Sequence, residues 1–342
     1  MNEFLDQSLP NRIPVSIITG FLGSGKTTLL NYLVRQPNME SVALIINEFG
    51  EIGLDNLLVE TSIENTLLLE NGCICCSVRG DLIDTVSDLF SKARIGAIPD
   101  FSRILIETTG IADPRPIINT LQNEPIIAER CYIDSVVTLI DGIQGKTQIY
   151  GHPEAMEQIA QADVGLITKG DLVNAKNISD LETFILSINP VMRVKAIKNG
   201  EVPPDFLFGK NNVNLISKIS KRTMDALSHE NQSRYHNGIN NSHEDISTWS
   251  FVDETPLNQD RLYAWLRLIY SLRSSHILRL KGLVRLQGEG YPLLLQGVGS
   301  VLNPPHFLSG WPMAQEESRI VFILKGLTSQ ALSASFIRHI IS

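Results

Sequence analysis

The segment Gly20-Phe21-Leu22-Gly23-Ser24-Gly25-Lys26-Thr27 constrains this chain more than any other. It fits the pattern G-x-x-x-x-G-K-[ST] and lies between a short apolar run (15–19) and a stretch with helical spacing (26–35). Glycines here let the backbone wrap tightly, so that successive N–H groups converge on phosphate oxygens. The following helix N-terminus adds partial positive charge. Lys26 is the candidate for reaching β- and γ-phosphates, and the Thr27 hydroxyl for ligating Mg²⁺. Gly20, Gly23, Ser24, Gly25 and Thr28 complete the candidate phosphate-binding set. A loop of this kind needs a strand before it and a helix after it, which commits the chain to an α/β architecture.

The sequence up to about residue 210 supplies that architecture. Short Ile/Val/Leu-rich runs at 15–19, 42–47, 103–107, 135–141 and 164–169 predict buried strands. Helical patterns at 26–35, 82–93, 153–160 and 178–187 alternate with them, which implies a mostly parallel sheet covered on both faces. Residues 211–247 are rich in Asn, Ser and His, and predict a polar, flexible linker. The pattern then restarts as a smaller α+β domain over 248–342. Strands are expected there at 248–252, 277–286, 292–296 and 319–324, and helices at 259–272 and 329–341.

Two further segments end predicted strands within the first domain. Thr168-Lys169-Gly170-Asp171 resembles the guanine-recognition motif of GTPases, usually Asn-Lys-x-Asp. The Asp171 carboxylate can accept from guanine N1–H and the exocyclic amine, a pattern adenine does not offer, while the Lys169 stem lies over the ring. Glu107-Thr108-Thr109-Gly110 offers a carboxylate for Mg²⁺, and at Gly110 a backbone N–H for the γ-phosphate, so that the loop after it can feel hydrolysis. Asn47-Glu48-Phe49-Gly50-Glu51 reads either as an exposed acidic turn or as a switch segment with a supporting metal ligand.

Three of the four cysteines, Cys73, Cys75 and Cys76, fall within Glu70-Asn71-Gly72-Cys73-Ile74-Cys75-Cys76-Ser77. In a reducing cytoplasm such a cluster suits metal binding or redox chemistry better than a disulfide framework. Thiolates favour Zn²⁺, Cu⁺ or thiophilic Co²⁺. Three thiols fill three of four tetrahedral positions. Water, Glu48, Glu51 or a partner's ligand is left for the fourth, and an open shell suits exchangeable cargo. A redox disulfide stays open as a rival. Cys131 precedes a buried strand and reads as core, and His229, His236 and His243 read as solvated linker residues.

A net charge of −8 argues against a nucleic-acid surface. No apolar run approaches the ~18 residues that a membrane span needs, and residues 1–12 lack a signal-peptide layout, so a cytoplasmic protein is expected.

Taken together these residues resemble the CobW-type family of metal-handling P-loop GTPases, relatives of the nickel-insertion GTPases of urease and hydrogenase. The likeness runs in order through 19–30, 47–53, 70–77, 106–114 and 168–172. Past the linker it continues at Ser250-Phe251, 277–282, Gln296-Gly297-Val298 and Trp311. It implies slow GTP hydrolysis coupled to binding of Zn²⁺ or Co²⁺ and delivery to a client metalloprotein or metal-cofactor enzyme; a homo-oligomer is left open. Two departures stand out. Many members carry a His-rich tract where this chain has scattered histidines, and Gly170 replaces a larger residue. A nucleotide-controlled switch that docks on a partner and holds structural zinc is the alternative reading; an ATP-dependent kinase or insertase is a third.

Overall fold

The computed structural model describes residues 12–39, 41–48, 67–72, 78–208 and 246–341, with side chains of 38, 47, 48, 67–72 and 78–81 left aside. These residues form two compact units, each built on its own sheet.

The first sheet has seven strands: β1 (Ile13–Gly20), β2 (Val42–Glu48), β3 (Leu67–Gly72), β4 (Arg103–Glu107), β5 (Cys131–Asp141), β6 (Val164–Thr168) and β7 (Arg193–Ala196). Their order is β3-β2-β4-β1-β5-β6-β7, and every pairing is parallel. Parallel neighbours demand crossovers, supplied here by α1 (Lys26–Leu33), α2 (Val78–Arg94), α3 (Arg115–Asn123), α4 (Pro125–Ala128), α5 (Gly145–Gly151), α6 (Pro153–Gln161) and α7 (Ala175–Ile188). The central strand β1 is buried from Val15 to Gly20, as expected of a strand covered on both faces. On α1, Leu29, Leu30 and Leu33 are fully buried in a core shared with Ile18, Leu44, Leu105 and Leu139. Burial of each such leucine contributes roughly 1.5–3 kcal/mol.

Several boundaries differ from the sequence expectation for local reasons. Helix α7 begins at Ala175 instead of 178 because Asn174 Oδ1 accepts the Asn177 N–H at 2.9 Å and caps it. Strand β6 stops at Thr168 because Lys169 adopts φ 54°, outside strand geometry. β3, read in the sequence only as an apolar run, and β7 both extend the sheet.

The second sheet is antiparallel. It contains β8 (Ile246–Asp253), β9 (Ile277–Val284), β10 (Leu293–Val298), β11 (Val301–Leu302), β12 (His306–Phe307) and β13 (Ser318–Lys325). The order is β11-β10-β9-β13-β8, with β12 on β10. Helix α8 (Gln259–Arg273), capped by Asn258, and helix α9 (Ser329–Phe336), capped by Thr328, share one core with Trp249, Leu280 and Phe322. Trp265 Nε1 donates to Ser335 Oγ at 3.1 Å between those helices. Instead of one helix over 329–341, the chain closes with a π-helical turn at Ile337–Ile341. The expected linker, 211–247, falls almost wholly outside the described residues. Among the described residues, no helix is long and apolar enough to cross a membrane.

Candidate functional site

All seven parallel strands deliver their C-terminal ends to one edge of the first sheet, where open α/β folds bind ligands. β1 ends there in the glycine loop. Gly20 (φ 142°), Gly23 (φ 72°) and Gly25 (φ 94°) lie in the region that favours glycine. A Cβ at Gly20 would sit 2.6 Å from Leu139 O and 2.8 Å from Ser24 Oγ, so only glycine fits where β1 turns. Lys26 Nζ folds back over the loop and donates to Gly20 O at 3.0 Å. The Ser24 hydroxyl is buried and has no hydrogen-bond partner among the described residues. An orphaned donor inside a glycine-lined turn, beneath a lysine, is a donor set that fits an anion of phosphate type. Thr27 is half-buried and Thr28 exposed in the first turn of α1.

β4 runs beside β1 and brings the second candidate segment to the same edge. Glu107, 8% exposed, pairs in register with Ile18. Thr108 N donates to Ile18 O at 2.9 Å, and its Oγ1 to Thr19 Oγ1 at 2.8 Å, tying the two strand ends together. Gly110 lies so close to the glycine loop that a Cβ would be 2.5 Å from Leu22 Cδ2 and 2.7 Å from Leu22 N.

The base-recognition segment closes the other end. Thr168 Oγ1 donates to Ser24 O at 2.8 Å, a direct bond from this motif to the phosphate loop. Lys169 Nζ meets Asp141 Oδ2 at 2.5 Å, and Asp141 Oδ1 accepts the Ile143 and Gln144 N–H groups at 2.8 and 3.0 Å. Burial pushes the Asp141 carboxyl up, but Lys169 and the two N–H groups outweigh it and hold it below the usual carboxylate range. Asp171 is exposed in the 3₁₀ turn Gly170–Leu172, where it is accessible to a ligand.

One wall was missed in the sequence. Gly170 N donates to Ile197 O at 3.0 Å, and Gly200 (φ 75°) abuts Thr28 O, so the loop after β7 bridges the base motif and α1. Its signal was the turn dipeptide Asn199-Gly200, both residues with positive φ. The helix pair α5–α6 also reaches the glycine loop. His152 stacks on Phe21 with ring centroids 4.4 Å apart, and Gln148 Nε2 lies 3.4 Å from Leu22 O.

The metal candidates stand differently. Cys73, Cys75, Cys76 and Glu51 lie outside the described residues, as do His229, His236 and His243. The backbone of Glu48 ends β2 in register with Gly72, which ends β3. Among the described residues, no group of three or more His, Cys, Asp or Glu could hold a metal ion. Cys131 is fully buried, and burial pushes its thiol up to about 12, which makes it inert core.

The family model for the CobW/HypB/UreG nucleotide-binding domain matches residues 14–195, and that for the cobalamin synthesis protein cobW C-terminal domain matches 246–339. The zinc chaperone YjiA of Escherichia coli is 31% identical over 326 residues, covering 95% of this chain and 98% of its own. The zinc chaperone CobW of Pseudomonas aeruginosa is 29% identical over 370 residues, covering 97% and 94%. The crystal structure of Zn(II)-bound YjiA GTPase from E. coli superposes with a TM-score of 0.72 at 29% identity, across 96% of this chain and 99% of that one. The chain therefore belongs to the CobW/HypB/UreG family, with a CobW C-terminal domain following the nucleotide-binding domain.

Proposed function

We propose that this protein is a GTP-hydrolysing metallochaperone that carries zinc on Cys73, Cys75 and Cys76 and passes it to a client metalloprotein. The enzyme is a GTPase. Lys26 and the backbone of 20–27 hold the phosphates, while Lys169 and Asp171 select guanine. Thr27 and Glu107 are the residues to hold Mg²⁺, which when bound offsets phosphate charge during hydrolysis. Gly110 supplies the N–H that senses the γ-phosphate.

The observation that carries the metal half of this reading is the β2–β3 register. Gly72 pairs with Glu48 at the strand-end edge, and Cys73 is the next residue. In the order β3-β2-β4-β1, three strand spacings separate β3 from β1, about 14 Å at ~4.8 Å each. The cysteines follow in sequence from a strand that ends at the same sheet edge as the glycine loop, which favours a coupling to nucleotide state, and Glu48 is the candidate for the fourth ligand. Relatives named zinc chaperones, alike over nearly the whole chain, favour Zn²⁺ over Co²⁺ as the cargo. A reducing compartment such as the cytoplasm keeps the thiols available.

Cys75→Ser tests the ligand assignment. Zinc bound per chain, measured after anaerobic purification and competition with a chelator, should fall at least tenfold while GDP affinity is unchanged. Full zinc retention in the variant would overturn the assignment.

A further inference from the structure

Helix α6 holds a polar side chain where the surrounding sequence is core. Every residue from Ala155 to Gln161 is buried, and Gln158 is only 1% exposed. A primary amide taken out of water in such a place needs partners. Gln158 finds them on the loop after β4. Its Nε2 donates to Ala112 O at 3.1 Å and makes a longer contact of 3.4 Å to Gly110 O. The backbone of the same residue is fixed to the sheet, since Thr138 Oγ1 donates to Gln158 O at 2.9 Å. Gln158 is thus an anchored post whose side chain grips two carbonyls of one loop.

The rest of that helix face holds the same loop. Arg115 Nη2 donates to Glu157 Oε2 at 2.7 Å while its Nε donates to Asp113 Oδ2 at 2.6 Å, and Gln161 Nε2 lies 3.5 Å from Asp113 Oδ1. On its other side Gly110 touches Leu22 of the glycine loop. The loop is therefore clamped between the phosphate cradle and α6. Because a peptide unit is planar, fixing the Gly110 and Ala112 carbonyls fixes the Ile111 and Asp113 N–H groups, and with Leu22 packed against Gly110 it limits how that residue can turn its own N–H. The N-terminus of α6 meets the cradle too, through His152 stacked on Phe21.

We infer that Gln158 is a positioning residue for GTP hydrolysis: its amide sets the Gly110–Ala112 loop so that the loop distinguishes GTP from GDP. This deepens the GTPase reading and rests on it. Gln158 is buried behind the Gly110–Ala112 loop and acts through it. A preorganised donor at a γ-phosphate contributes to turnover, whereas GDP lacks the group the loop reads.

The test is Gln158→Met, which keeps the length and burial of the side chain and removes both donors. Steady-state GTP turnover is measured with GDP and GTP-analogue affinities and the melting temperature. The expected result is a kcat lowered at least tenfold, GDP affinity within twofold of wild type, and a smaller affinity ratio of analogue to GDP, with KM rising no more than analogue affinity falls. An unchanged kcat, or a fall of kcat, KM performance and GDP affinity all together, would overturn the inference, the latter marking a merely structural role. Wild-type turnover in the same series separates the two ideas. No wild-type turnover would overturn the GTPase reading and this inference with it; normal wild-type turnover beside an unaffected variant overturns this inference alone. If the variant does not fold, amide hydrogen exchange of wild type serves instead. Exchange across 109–113 and 155–161 should be slower with a GTP analogue than with GDP, and equal rates would overturn the inference.

Discussion

The seven-stranded sheet runs all its strands in one direction, whereas the six-stranded sheet alternates. The consequence is a difference in where chemistry can accumulate. In the parallel sheet every strand ends at the same edge, so Gly20, Glu48, Gly72, Glu107, Asp141 and Thr168 are gathered from distant parts of the sequence. In the antiparallel sheet the strand ends are divided between two edges, and polar groups occur within the sheet. Arg319, 6% exposed, is bonded to Glu317 at 2.6 Å, and Lys281 is fully buried. The first sheet should therefore tolerate changes at its edge structurally but not functionally, and the second should show the reverse.

The largest effect should come from Lys26→Ala. It removes the ammonium over the cradle without disturbing the core and should lower GTP turnover about a thousandfold, the order expected for a lost phosphate-stabilising charge. A circular dichroism melt would show the fold intact; turnover near wild type would show that hydrolysis does not need the ammonium over the glycine loop. Next comes Asp171→Asn, which removes the carboxylate proposed to accept from guanine N1–H. GTP affinity should fall about a hundredfold with little change in melting temperature, because this exposed side chain is assigned to base recognition and not to the core. Competition with ATP sharpens this test, since the wild type should prefer GTP and the variant should lose the preference.

On the antiparallel side, Gly297→Ala places a Cβ 2.1 Å from the Tyr270 hydroxyl and 3.1 Å from Val301 O. Overpacking of this kind costs about 1–3 kcal/mol. A lower melting temperature with unchanged KM for GTP is the expected result; a changed KM would show that the two sheets are not separable in function. The smallest effect concerns Asp141. Its folded carboxyl is held below the ordinary value, so its stabilising contribution is present above about pH 4 and is lost as pH falls through the folded pKa. The stability advantage of wild type over Asp141→Asn should shrink on acidification in that range.

Much of this was legible in the sequence because local patterns and global fold agree. The glycine loop, the strand end at Glu107 and the longer elements of the second domain carry their own signatures, whereas β6 stops one residue short of its apolar run and β11 and β12 carry none. What was not legible depends on contacts distant in sequence. Gln158 follows Glu157 in a helical stretch whose local pattern does not show that 155–161 are all buried, so nothing nearby in the sequence marked its amide. The turn at Asn199-Gly200 is marked locally, but its place against the site comes from the Gly170–Ile197 hydrogen bond, 27 positions apart. The pairing of Glu48 with Gly72 depended on β3, whose run of three leucines gave no register.

In the proposed function, nucleotide state controls zinc affinity. The direct measurement is the zinc dissociation constant of the full chain with a non-hydrolysable GTP analogue and with GDP, under reducing, anaerobic conditions. Zinc should bind at least tenfold tighter with the analogue, and that difference should be lost in Cys75→Ser. Equal zinc affinity in the two nucleotide states would contradict it and favour a structural zinc in a nucleotide-controlled switch.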